Sequence, residues 1–127
     1  MNFIAAIILM NVQNEVLACQ IFTKVLQKDN WARMYLSSTP KLFDLSQQIM
    51  DRLLLEIPSL HAHLFEHQIF LEVMLAGPLM TLFSNLVSFT ESTHILTLFI
   101  LDGESFIMDL IINIYRNMQD KILKMND

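Results

Sequence analysis

"PKLFDLSQQIMDRLLLEI", residues 40–57, decides the fold class. Leu42, Leu45, Ile49, Leu53 and Ile57 recur every three or four positions, so they line one face of a helix. Met50 and Leu54 flank that stripe. Lys41, Asp44, Gln48, Asp51, Arg52 and Glu56 take the opposite face. Thr39-Pro40 reads as the start, a capping side chain followed by proline at the first helical position. Ile57-Pro58 reads as the end, because the proline ring crowds the preceding residue out of the helical conformation.

The flanking segments repeat this pattern. Residues 14–28 predict a helix with Val16, Leu17, Ile21, Val25 and Leu26 facing inward and Gln20, Lys24, Gln27 and Lys28 facing water. "DNWARMYLSSTP", residues 29–40, is a connector with room for one turn. Residues 2–12 predict an apolar helix with Asn2 as its cap; nine of the ten residues in "MNFIAAIILM" are apolar. Downstream, short helices are expected over 59–67 and 69–76, broken at Gly77-Pro78, with another over 78–87. Ser92 or Thr93 is the expected cap of a helix ending at Leu101, and Asp102-Gly103 its stop. The last helix, 104–124, turns Ile107, Leu110, Ile111, Ile114, Met118 and Ile122 inward.

Composition agrees. Two glycines, three prolines and no alternating Val/Thr-rich runs define an all-α chain, and 127 residues suit one domain with a real core. Hydrophobic residues reach 54% and charged ones only 17%, so the chain packs into something larger or touches lipid. A net charge of −5 with no basic stripe argues against nucleic acid as a partner. The charge-free run 73–90, "VMLAGPLMTLFSNLVSFT", is long enough to span a bilayer, but Gly77-Pro78, Ser84, Asn85 and Ser88 suit buried helices better. The opening segment lacks the basic start and small-residue cleavage pattern of a signal peptide.

Little in the chain suggests a reaction centre. "HAHLFEH", 61–67, puts His63 and His67 four residues apart beside Glu66, but no further ligand cluster joins them, and no metal or cofactor is assigned. The lone Cys19 sits among Leu17, Ala18, Ile21 and Phe22 and is expected to be a buried thiol. The carboxylates are scattered singly, and two glycines cannot build a phosphate-cradling loop.

Four stretches carry a resemblance. "MNFIA" at 1–5, "RLLLEIPSLHAHL" at 52–64, "TLFSNL" at 81–86 and "ILTLFILDGE" at 95–104 resemble, in this order, the TBC domain of GTPase-activating proteins for Rab-type small GTPases. The family pattern reads YxQGMNF, LPxLxxHL, WFLTLF and IWDxFxxEGE. Ile57, Pro58, Leu60, His63 and Leu64 match the second element as packing positions. Thr81, Leu82 and Phe83 match the third; Ile95, Phe99, Asp102, Gly103 and Glu104 match the fourth.

The resemblance implies the C-terminal half, or somewhat more, of an all-helical TBC domain, with residues 1–127 a single partial domain. It implies a Rab-class GTPase as partner, with Asn2 and Phe3 nearest the groove that holds it. The cytoplasm is the implied compartment, with membrane surfaces reached through partners. Family members accelerate GTP hydrolysis with the Arg of IxxDxxR and the Gln of YxQG, which stabilise charge on the transferred phosphoryl group and orient water. YxQG would stand immediately before Met1, and the nearest likeness of IxxDxxR has Ile112 in place of Arg. Pro78 and Leu96 stand where the family has tryptophans, and Thr97 where it has Asp. The expectation is therefore a divergent TBC-like chain without its catalytic fingers. The alternatives are a helical scaffold or subunit of a larger assembly, and a membrane-associated helical protein.

Overall fold

The computed structural model describes residues 2–124. Among these residues there are seven α-helices and no strand. They are α1 (Asn2–Val12), α2 (Glu15–Gln27), α3 (Pro40–Glu56), α4 (Pro58–Glu66), α5 (Leu71–Thr81), α6 (Phe89–Asp102) and α7 (Glu104–Leu123), with a 3-10 connector at Lys28–Tyr35.

The stripe on α3 is the centre of the fold. Leu42, Leu45, Ile49, Leu53 and Ile57 are all buried, and α3 packs on α4, α5, α7 and the connector. Each such leucine or isoleucine contributes about 1.5–3 kcal/mol by leaving water. Ile57 is the hinge between α3 and α4: its N–H donates to Leu53 O, and Pro58 opens α4 where a missing N–H costs nothing. Helix α1 lies on α2 and touches α5 and α6, while α6 packs on α7.

Several expectations change. Thr39, the expected cap of α3, is left-handed (φ 45°) and makes no side-chain cap hydrogen bond. Helix α5 runs straight through Gly77-Pro78 and ends at Thr81 rather than breaking there. Pro78 lacks an N–H, but one missing rung does not end a helix whose Leu71, Leu75 and Leu79 are buried. Two consecutive left-handed residues end it, Leu82 (φ 48°) and Phe83 (φ 67°). Helix α6 starts earlier than expected, capped by Ser88 instead of Ser92 or Thr93. The Ser88 side chain accepts from Glu91 N–H, and the Glu91 side chain accepts from Ser88 N–H, a complete capping box.

Two further changes concern faces. On α2, Ala18 and Val25 are buried with Ile21 and Phe22 beside them, whereas Val16 is 71% exposed and Leu17 also faces out. Cys19 is exposed with them. On α7, Ile107, Ile111, Ile112 and Tyr115 are buried, while Ile114 and Met118 are exposed.

Candidate partner-binding surface

The conformation of the connector supplies the main anchor. Asp29 (φ 52°) and Asn30 (φ 57°) are left-handed, which short polar side chains tolerate better than others. This bend brings the Asp29 carboxylate to the start of α7, where it accepts from Glu104 N–H at 2.8 Å. Lys41, expected on the water-facing side of α3, is buried instead. Its ammonium donates to Asp29 O at 2.7 Å and to the Glu104 carboxylate. Gly103 completes the joint at φ 75°, and a Cβ there would collide with the Asp29 carboxylate. The structure thus joins Gly103 and Glu104 to Asp29 and Lys41, two residues that no local pattern tied to them.

Most of the remaining matched positions are buried or half-buried. Leu60, Leu64, Leu82 and Phe83 are buried, and Ile95 packs half-buried on the core. Pro58 is exposed. Phe99 meets the Trp31 ring edge-on at 4.8 Å. The Thr81 hydroxyl lies 2.9 Å from both Gly77 O and Asn85 Oδ1. His63 is half-buried and stacks on His67, whose Nδ1 lies 2.9 Å from His63 O. Among the described residues, no three His, Cys, Asp or Glu side chains are placed to share a metal ion.

The three arginines are matched by carboxylates. Arg52 binds Glu56 at 2.8 Å and Asp109 at 2.6 Å, and Arg116 binds Glu56 at 2.9 Å, tying α3 to α7. These partners hold Arg52 further toward its charged form, and Arg52 above all holds Glu56 below the usual carboxylate range. Arg33 lies 3.7 Å from Asp44. Burial pushes the Tyr35 phenol up to about 12, against the opposing pull of the nearby Trp31 indole N–H, a group left without a hydrogen-bond partner. Tyr35 instead donates to Met80 O at 2.7 Å. Burial alone pushes Tyr115 up to about 12.

Apolar side chains also remain open. Phe3 is 53% exposed on α1, on the same helix as exposed Leu9 and Met10, and α2 adds Val16 and Leu17. Asn2 lies in α1, but its side chain falls outside the described residues. A concavity of about 310 Å³ between α1 and α2 is lined by Ala5, Leu9, Glu15, Ala18, Cys19 and Phe22. Such a surface suits contact with another protein.

The described residues thus form an all-α array whose arginines are paired to carboxylates and whose α1–α2 face exposes apolar side chains. The chain belongs to the Rab-GTPase-TBC domain family, whose model matches residues 1–123. No curated protein and no solved structure matches it. Among the described residues, no helix is long and apolar enough to cross a membrane.

Proposed function

We propose that residues 1–127 act as a TBC-type binding module for a Rab-class GTPase, engaging it through the α1–α2 face at Phe3, with Asn2 as the further partner-binding candidate, and do not themselves accelerate GTP hydrolysis. The observation that carries the reading is the family match over 1–123 in a stretch containing neither YxQG nor IxxDxxR. Without donors aimed at the γ-phosphate nothing lowers the barrier. The arginines support this, since Arg33, Arg52 and Arg116 all lie beside carboxylates. The setting is cytoplasmic, with membrane surfaces reached through the partner.

A second reading, a non-catalytic subunit of a larger assembly, is favoured by the exposed side chains of Leu55, Phe65, Phe70 and Val73. Two measurements on a panel of GTP-loaded Rab-class proteins separate the readings. Single-turnover hydrolysis should stay at the intrinsic rate with the 127-residue chain added; a large acceleration sinks the inactive assignment. Saturable binding to at least one GTPase, weakened by Phe3→Asp, is expected. Absence of binding across the panel transfers the conclusion to the assembly reading.

A further inference from the structure

A second concavity lies away from the α1–α2 face, between α5, the 82–88 turn and α7, with a volume of about 430 Å³. That is within the range of about 300–1,000 Å³ usual for small-molecule sites. Leu75, Phe83, Ile111 and Tyr115, all buried residues, help line it, and exposed Met74 and Met118 lie on its two helical sides. The consecutive left-handed Leu82 and Phe83 turn the chain after α5, and Phe83 joins the lining. No charged side chain lines it. Its one polar side-chain group is the Tyr115 hydroxyl: the residue is 7% exposed, and the hydroxyl makes no hydrogen bond within the described residues.

We propose that this groove binds a neutral lipid-like molecule, an aliphatic or isoprenoid chain ending in a hydroxyl, with Tyr115 pairing to that hydroxyl. Three features select this occupant. The charge-free lining gives a carboxylate or phosphate head no counter-charge, so burying one there is costly. The phenol keeps its proton far above neutral pH, so it can both donate to and accept from an alcohol. Met74 and Met118 are unbranched and adapt to a flexible chain.

The test uses the 127-residue chain with isotope-labelled methionine methyls, titrated with 1-dodecanol and separately with dodecanoate at neutral pH. Met74 and Met118 resonances, assigned through Met74→Leu and Met118→Leu, should shift saturably with one equivalent of dodecanol. Dodecanoate should bind about tenfold or more weakly, for want of a counter-charge. Tyr115→Phe, which keeps the ring, should weaken dodecanol by about threefold to tenfold, the worth of one hydrogen bond. Equal affinity for alcohol and carboxylate, or no saturable shift, overturns the proposal. So does a shift of these methyls with protein concentration alone that persists in the Leu55→Lys, Phe65→Lys variant, which would mean that a second copy fills the groove. Met118→Glu, at an exposed position, provides a variant whose fold does not depend on the tyrosine; it should weaken dodecanol binding, and an unchanged affinity also counts against the groove.

Discussion

Gly103 carries the sharpest constraint on any single residue. Its φ of 75° and the adjoining Asp29 carboxylate leave no room for a Cβ. Gly103→Ala should therefore lower stability by about 2 kcal/mol or more, seen as a reduced urea midpoint with an unchanged slope. The two tyrosines make a second test. Both have folded-state values raised to about 12, against about 10 in the unfolded chain. A raised folded value means stability present below pH ~10 that is lost as pH rises from there toward ~12. Phenolate absorbance of the native chain should lag that of the urea-unfolded chain across this window. A native titration centred on the unfolded value would contradict the burial of both phenols. Lys41 shows the limit of reading single residues: its spacing on α3 is that of a solvated face. It is buried because its acceptors lie in the connector and at the start of α7, which periodicity does not connect.

Individual helices were legible in proportion to how much of their stability is local. Helix α3 carries a stripe, a proline start and a proline stop, and its predicted range of 40–57 differs from Pro40–Glu56 by one residue. Helices α1 and α7 were likewise placed within a residue, at Asn2–Val12 and Glu104–Leu123. Helix α5 was misread because Gly77-Pro78 is a strong local breaker, yet burial of Leu71, Leu75 and Leu79 outweighs one lost hydrogen bond. Helix α6 was misread because several Ser and Thr residues could cap it, and only Ser88 has Glu91 three residues on. Ser88→Ala should cost about 1 kcal/mol, measurable by thermal or urea unfolding. Removing the Ser92 hydroxyl should not reproduce the loss of this cap in helix-end hydrogen exchange. An exchange rate near residue 91 unaffected by Ser88→Ala would refute the box.

At the scale of the whole molecule, the fold class and family were legible, while the faces left open were not. Val16 and Leu17 on α2, and Ile114 and Met118 on α7, have spacings that fit a core but point outward. The same goes for Cys19, whose apolar neighbours in sequence suggested burial. A helix wheel shows which residues share a face; it does not show which face finds a neighbour. With Phe65, Phe70, Val73 and Leu55 also exposed, the isolated chain should self-associate as concentration rises. Sedimentation velocity should show this, and Leu55→Lys combined with Phe65→Lys should reduce it while leaving the melting temperature within a few degrees. A strictly monomeric chain at high concentration would run against this expectation.

The clasp at Asp29 has one more consequence. Helix α7 has no side-chain cap of its own, since Gly103 occupies that position. The group that accepts its first N–H belongs to a residue 75 positions upstream. The address at which the last helix begins is thus written in the connector, far outside the helix it governs. A peptide of residues 104–123 would fray at its start, and a chain altered only at Asp29 would blur the boundary of an element it never touches in sequence.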